Sequence, residues 1–117
     1  MKMQKENMIR LCEGQLEAYN QRDLFKFISF YHPEVRVQQI QNSEPDLIGI
    51  AEFTSRYKKV FDENPELHCD LRSRMALETS VLDEEWVTGV KTRNGPSHVV
   101  AIYKFKDNLI HSVWFAR

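Results

Sequence analysis

Residues 99–115, VVAIYKFKDNLIHSVWF, decide the fold of this chain. Every second residue at the start of the stretch is apolar, as on the buried face of a β-strand: Val99, Ala101, Tyr103 and Phe105. Asp107 and Asn108 then supply the residue types that reverse a chain in a tight turn. The stretch therefore predicts an antiparallel hairpin with strands over residues 98–106 and 109–116.

The same period of two extends upstream of the hairpin. It predicts a strand over residues 67–77 whose buried face carries five side chains: Leu67, Cys69, Leu71, Met75 and Leu77. The opposite face should carry four polar ones: His68, Asp70, Arg72 and Arg74. Residues 81–92 predict another strand, and Asn94-Gly95 is a hairpin signal before residue 98. Consecutive strands joined by short turns favour an antiparallel sheet.

The first third of the chain has helical patterning instead. Over residues 5–20, apolar side chains recur at steps of three and four: Met8, Ile9, Cys12, Leu16 and Tyr19. Asp23 offers an N-cap to a short helix over residues 24–31. We expect that helix to end at His32, because Pro33 disfavours helical geometry in the residue before it.

Two short strands and a third helix complete the pattern. Residues 34–40 alternate like a strand, and residues 47–48 form a second one after a turn. Residues 50–63 predict a helix that ends before Asn64-Pro65. The order of elements predicts an α+β fold in which three N-terminal helices pack on a strongly curved, mostly antiparallel sheet.

The hairpin is apolar on both faces. Val100 and Ile102 lie opposite the Tyr103 face, and we expect Trp86 and Trp114 to join them from neighbouring strands. Because helices cover only one face of a sheet, this outer patch predicts a homodimer interface. The alternative is that the chain's own ends cover these residues, or that they are scattered exposed side chains.

Length and composition fit one domain over residues 1–117. With 42% hydrophobic and 28% charged residues, the chain is globular rather than disordered. The 16 Lys and Arg against 17 Asp and Glu give a formal charge of -1 without a basic cluster, so we expect no nucleic-acid partner. No stretch is apolar enough for a signal peptide or a membrane span, so we expect a cytoplasmic protein with no membrane partner.

The cysteines and histidines predict no metal or cofactor. Cys12 and Cys69 lie far apart, outside any C-x-x-C motif, and are expected to be free buried thiols. The four histidines are scattered without the spacing of metal ligands: His32, His68, His98 and His111.

Three stretches together carry a resemblance to a known family: AYNQRDLFKFISFYHPEVRV (18–37), LIGIAEFTSRYKKVF (47–61) and VVAIYKFKDNLIHSVWF (99–115). Their order resembles the SnoaL-like branch of the nuclear transport factor 2-like superfamily, relatives of ketosteroid isomerase. The resemblance implies a cone of three helices and a bent sheet, a small and usually apolar ligand in its open end, and a homodimer through the outer sheet face.

The resemblance does not carry the isomerase chemistry with it. The position of the catalytic base corresponds to Gln39, the tyrosine donor to Gln15 and the aspartic acid donor to Ala101. Gln39 cannot abstract a proton and Ala101 cannot donate a hydrogen bond, so ketosteroid isomerase activity by that route is not expected. Two supporting tyrosines of the family match Tyr31 and Tyr57, with core packing as the alternative reading of both.

The segment VLDEEWVTG (81–89) resembles an acidic strand of the SnoaL-like group. Asp83, Glu85 and Val87 point one way along a strand. If that face is concave, both carboxylates approach the cavity, where burial would raise a carboxyl pKa toward acid/base use. The alternative is a solvated acidic hairpin end.

Two further residues are candidates at the mouth of the cone. His98 could form an acid/base couple with Glu85, although a lone histidine after Asn94-Gly95-Pro96-Ser97 is more often a solvated hairpin residue. Arg117 could present its guanidinium to an anionic ligand.

Two functions of different classes follow. The first is a binding module for a small apolar or carbonyl-bearing ligand, contacted by nine residues: Gln15, Tyr19, Tyr31, Gln39, Phe53, Tyr57, Ala101, Tyr103 and Phe115. The second is a cofactor-free acid/base enzyme of isomerase, cyclase or dehydratase type that uses Glu85 with His98 or Asp83. A filled cone that serves only protein assembly is a third reading.

Overall fold

The first helix, α1, spans Lys5–Gln21 and buries one stripe of its surface in the computed structural model, which describes residues 3–117. Met8, Cys12 and Ala18 lie on this stripe. The helix ends at Arg22, whose left-handed backbone (φ 53°) closes it as a C-cap. The helix predicted over residues 5–20 is confirmed.

The second helix, α2, covers Leu24–Ile28, and the Asp23 carboxylate caps it by accepting from the Lys26 backbone N–H at 3.2 Å. The prediction that this helix continues to residue 31 is wrong. The first strand, β1, already begins at Tyr31 and runs to Gln39 (Tyr31–Gln39), because Tyr31 pairs with a strand from the end of the chain. Pro33 is tolerated inside it because the register shifts between Tyr31 and Arg36.

A short strand and the third helix follow. The strand β2 is Leu47–Ile48 and the helix α3 is Ile50–Glu63, both with the predicted bounds. Asn64 closes α3 through its side chain, which donates to the Val60 carbonyl at 2.8 Å and accepts from the Lys91 backbone N–H at 2.8 Å. This residue therefore ties the end of the helix to a later loop.

The second half of the chain forms four strands: β3 (His68–Ala76), β4 (Ser80–Thr88), β5 (Ser97–Lys106) and β6 (Leu109–Ala116). The six strands pair in the order β2-β1-β6-β5-β4-β3, and only the β1–β6 pair is parallel. Register shifts interrupt three of these pairs, and such bulges bend a strand and increase its twist. The predicted α+β architecture with a mostly antiparallel sheet is confirmed.

A bulge in β3 overturns part of the predicted strand pattern. Leu71 pairs with Glu85 and Ser73 with Glu84, so Arg72 is an extra residue and the alternation reverses after it. Met75 is consequently 57% exposed instead of buried, and Leu77 is 43% exposed. Arg74, expected on the polar face, points into the protein.

The strand predicted over residues 81–92 ends at Thr88. Gly89 adopts φ 81°, and a Cβ at this position would lie 2.0 Å from the Glu66 carbonyl oxygen. Only glycine allows this close approach, and the chain leaves the sheet there.

The helices pack against one face of the sheet around a cluster of aromatic rings. Phe27 lies at its centre and stacks on Phe53 with a centroid distance of 5.6 Å. Four other rings surround this pair: Tyr19, Tyr31, Tyr57 and Phe61. Cys12 and Cys69 are free and buried, as predicted.

The outer face carries the apolar patch expected from the sequence. Ile102 on β5 lies between Leu82 on β4 and Trp114 on β6, and all three side chains are half-buried. Trp86 contacts two residues of its own chain, with the Arg72 guanidinium 5.0 Å and the His98 ring 4.5 Å from its ring centroid. Within residues 3–117, no helix has the length and apolar character needed to cross a membrane.

Candidate functional site

A cavity of about 260 Å³ lies between the helices and the inner face of the sheet. Every helix and strand contributes at least one side chain to its wall. Much of that wall is aliphatic: Val37, Val60, Val87, Val90, Val99 and Val113. Such a surface suits an apolar ligand body, and the polar groups placed within it decide what else the ligand must carry.

Glu85 is the buried acid of this cavity. The alternation of β4 turns it inward, where it is 5% exposed and lines the cavity. Burial, and next the negative charge of Asp83, raise the pKa of Glu85 to about 7. A hydrogen bond from the Cys69 thiol and the charge of Arg74 act in the opposite direction. Glu85 can therefore exchange a proton near neutral pH.

Asp83 also points inward, but it lies behind the cavity wall instead of lining it. Arg74 donates from Nε to Oδ1 at 2.6 Å and from Nη2 to Oδ2 at 2.9 Å, and its other nitrogen contacts Glu13. Both carboxylate oxygens are thus occupied in a bidentate ion pair. The proposed role of Asp83 as a proton carrier in the cavity does not agree with this arrangement, which the β3 bulge creates by turning Arg74 inward.

Gln15 links two tyrosines at the inner end of the cavity. Tyr31 donates its hydroxyl proton to Gln15 Oε1 at 2.6 Å, and Gln15 Nε2 donates to the Tyr103 hydroxyl and to the Cys12 carbonyl, each at 3.1 Å. The Gln15 amide is therefore engaged within the protein and positions tyrosines. Gln15 lines the cavity as expected, and its direct contact with a ligand stays a prediction.

Three tyrosine hydroxyls remain available to a ligand. Tyr103 accepts from Gln15, and no residue of 3–117 accepts its own proton, while Tyr19 and Tyr57 make no side-chain hydrogen bond in that range. Burial raises the pKa of Tyr57 to about 12, and that of Tyr19 and Tyr103 also lies above the ordinary value. All three stay protonated at physiological pH and can donate to an oxygen atom.

The predicted couple between His98 and Glu85 does not form. In the β4–β5 register His98 pairs with Trp86, whereas Glu85 pairs with Val99, so the two side chains lie on opposite faces of the sheet. The His98 ring instead contacts Glu84 on the outer face, with Nε2 2.8 Å from Oε2. His98 is exposed and does not line the cavity.

Two predicted ligand contacts also lie outside the cavity wall. Phe53 is 1% exposed and packs in the aromatic cluster, and Ala101 is fully buried where it pairs with Asp83. Both are buried inside the protein, but neither is among the residues that line the cavity. Gln39 and Phe115 do line it, and Gln39 also donates to Asp46 Oδ2 at 3.3 Å.

The mouth of the cavity is lined by three arginines, of which the sequence indicated only Arg117. Arg56 comes from α3 and Arg93 from the loop after β4, and all three are exposed. Arg56 and Arg93 were missed because an arginine on a helix surface or in a loop has no local signal that distinguishes it from a solvated charge.

Among the described residues, one group of three side chains could hold a metal ion by distance: His32, Glu34 and His111 each offer a ligand atom, all within 4.8 Å of one another. The His32 ring is already engaged, because Nδ1 accepts from the Glu34 backbone N–H at 2.9 Å and Nε2 lies 3.0 Å from Asp107 Oδ2. A metal on Nε2 would require a proton on Nδ1, where the amide already donates. The group is therefore explained by hydrogen bonds within the chain.

Helices that close over a bent mixed sheet with an internal cavity define the cystatin-like, or nuclear transport factor 2-like, class of α+β domains. Residues 13–113 match the model of the SnoaL-like domain, and the chain belongs to that family. The fold expected from the resemblance is confirmed. Among curated proteins, none matches this sequence significantly.

Solved structures show the same fold at low sequence identity. An uncharacterised cystatin-fold protein from Novosphingobium aromaticivorans has a TM-score of 0.85 at 22% identity, over 95% of this chain and 97% of that one. A proposed ketosteroid isomerase from Kribbella flavida has a TM-score of 0.81 at 17% identity, over 95% of this chain and 77% of that one. A proposed polyketide cyclase from Sinorhizobium meliloti has a TM-score of 0.79 at 12% identity, over 97% of this chain and 99% of that one. The same fold thus occurs in proteins assigned to small-molecule chemistry.

Proposed function

We propose that this protein binds a small, mainly apolar molecule that carries a carbonyl or hydroxyl oxygen. The observation that carries the proposal is the buried Glu85 carboxyl in an apolar cavity beside tyrosine hydroxyls that have no acceptor in the described chain. Below pH 7 the carboxyl is protonated and donates a hydrogen bond as the tyrosines do. A ligand oxygen satisfies these donors, whereas a hydrocarbon leaves them unpaired, which disfavours its binding.

The pKa of Glu85 favours a second candidate, a cofactor-free acid/base enzyme of isomerase, cyclase or dehydratase type. As a carboxylate, Glu85 can take a proton from a carbon next to the ligand carbonyl while Tyr103 or Tyr57 donates to the carbonyl oxygen. As an acid, Glu85 returns the proton to another atom. His98 and Asp83 take no part, so Glu85 is the single proton carrier of this mechanism.

One pair of probes tests both candidates. We expect 1-tetralone to bind more tightly than tetralin, which has the same ring body without the oxygen, as measured by NMR titration. Equal affinity for the two would contradict the role assigned to the donors. In D₂O, exchange of the tetralone protons next to the carbonyl reports proton abstraction directly. The protein accelerates this exchange if it is an acid/base enzyme and does not if it is a binding module.

Glu85→Gln and Glu84→Gln form a matched pair of variants for this exchange measurement. Glu84 is the adjacent residue on the same strand but lies on the outer face. Acid/base catalysis by Glu85 predicts that exchange is lost in Glu85→Gln and kept in Glu84→Gln. Binding without exchange in the unsubstituted protein supports the binding module instead.

We also propose that two copies associate through the outer face formed by Trp86, Val100, Ile102 and Trp114. The support is that large apolar side chains from β4, β5 and β6 share the outer face, which the helices on the other face cannot cover.

A further inference from the structure

We infer that the ligand is an organic anion, with its carboxylate at the cavity mouth between Arg56, Arg93 and Arg117 and its oxygen-bearing end directed toward Glu85. This inference rests on the proposed function and names the class of its ligand.

The three arginines reach the mouth from separate parts of the chain. Arg56 lies on α3, Arg93 follows β4 and Arg117 follows β6, and each lines the same cavity. Their charges act on groups inside it, since Arg56 and Arg117 lower the pKa of the Tyr57 hydroxyl against the larger effect of burial, and Arg93 does so for Tyr19. The three arginines are thus both exposed to solvent and part of the cavity lining.

These charges are not neutralised within the described chain. Arg56 and Arg93 make no side-chain hydrogen bond and no ion pair within 4.0 Å to any residue of 3–117. Arg117 donates to two neutral oxygens, Gln39 Oε1 and Ser97 Oγ, each at 3.2 Å. These contacts orient its guanidinium without cancelling the charge.

The mouth is consequently electropositive in a chain that carries a formal charge of -1. Asp46 is the acidic residue among the exposed lining side chains, so three positive charges stand against one negative charge. Asp46 is engaged by Gln39 Nε2 at 3.3 Å. Guanidinium groups bind carboxylates with paired N–H donors, which matches an organic anion better than a neutral ligand.

The charges also set the direction of the ligand. Glu85 is buried in the inner wall, with Asp83 behind it, so a carboxylate placed there would be poorly solvated and would meet no free positive charge, because Arg74 is already paired with Asp83. At the mouth it keeps part of its hydration and meets positive charge. The neutral oxygen of the same ligand then reaches the tyrosines and Glu85.

The test compares carboxylic acids with their own primary amides, which keep the shape and remove the charge. We would use 6-carboxy-1-tetralone and 2-naphthoic acid with the two amides, in calorimetric and NMR titrations at pH 6, where Glu85 is mostly protonated. Three exposed ion pairs predict that each acid binds roughly tenfold more tightly than its amide. Added KCl should weaken the acids and leave the amides unchanged.

A triple variant, Arg56→Gln with Arg93→Gln and Arg117→Gln, should remove the preference for the acids and keep amide binding. The control changes the net charge equally at exposed positions away from the mouth: Lys5→Gln, Arg10→Gln and Arg36→Gln. This control variant should keep the preference for the acids over their amides.

Amide binding as tight as acid binding, or a preference that survives in the mouth variant, would overturn the anion inference and leave the proposed binding function intact. Binding of neither acid nor amide would overturn the binding function and the inference together.

Discussion

Replacing Glu85 by glutamine should stabilise the protein at alkaline pH and leave its stability unchanged in acid. In the folded protein the pKa of Glu85 rises from its ordinary 4.5 to about 7, mainly because of burial and of Asp83. Between these values the folded state holds a proton that the unfolded chain has released, so the free energy of unfolding falls as pH rises. This difference in pKa corresponds to roughly 3 kcal/mol of folding stability, which is lost completely above pH 7. Glutamine does not titrate and avoids the loss.

The groups packed around Glu85 are consistent with a raised pKa of its carboxyl. Arg74 is the positive group nearby, and it is bound to Asp83. The remaining neighbours are neutral donors or acids: Tyr19 on α1, Tyr57 on α3, Cys69 on β3 and Tyr103 on β5. None supplies a charge that would stabilise ionised Glu85.

Urea unfolding between pH 4 and pH 8 measures the effect. The variant and the unsubstituted protein should be equally stable near pH 4, and the variant should be more stable by roughly 3 kcal/mol at pH 8. Glu84→Gln is the control with the opposite sign, because hydrogen bonds from Ser73 and His98 lower the pKa of Glu84. That variant should lose stability at neutral and alkaline pH, and the loss should fade in acid as Glu84 becomes protonated in the unsubstituted protein. A stability difference for Glu85→Gln that does not change with pH would refute the buried, protonated carboxyl.

Three further outcomes are expected. Gly89→Ala should lower the free energy of unfolding by roughly 1–3 kcal/mol, and the melting temperature with it, because its Cβ would meet the Glu66 carbonyl and φ is positive; an unchanged melting temperature would contradict this contact. Gln15→Leu should cost about 1–3 kcal/mol in urea unfolding by leaving the Tyr31 hydroxyl without its acceptor, and adding Tyr31→Phe should recover part of the loss. No recovery would mean that the hydrogen bond is unimportant. Ile102→Glu should convert the proposed dimer to a monomer in sedimentation velocity, and an unchanged sedimentation coefficient would exclude that face.

Local periodicity accounts for what the sequence predicted correctly. The bounds of α3 agree because Asn64-Pro65 ends a helix whatever surrounds it. Glu85 and Val87 share the inner face because a strand alternates strictly over a few residues. The errors lie where the chain departs from the period, as at the Arg72 bulge, which turned Arg74 inward and Met75 outward.

The candidate site was predicted in part for the same reason. Glu85, Tyr19, Tyr57 and Tyr103 line the cavity as expected, since each lies on a face that the pattern identifies as buried. The predicted couple between Glu85 and His98 was wrong because the pairing of β5 with β4 decides the face on which His98 lies. The connection between the two strands separates them in sequence, so the alternation along β4 does not reveal that pairing.

The sequence by itself determined the order of helices and strands and the sharing of one strand face by Asp83, Glu85 and Val87, because these depend on neighbours within a few residues. Only the tertiary structure decided that Gln15 holds Tyr103 across 88 positions of the chain and that three separate arginines meet at the cavity mouth. These contacts join residues that are distant in sequence. Their geometry depends on the strand register and on where each element ends, and no local pattern records either.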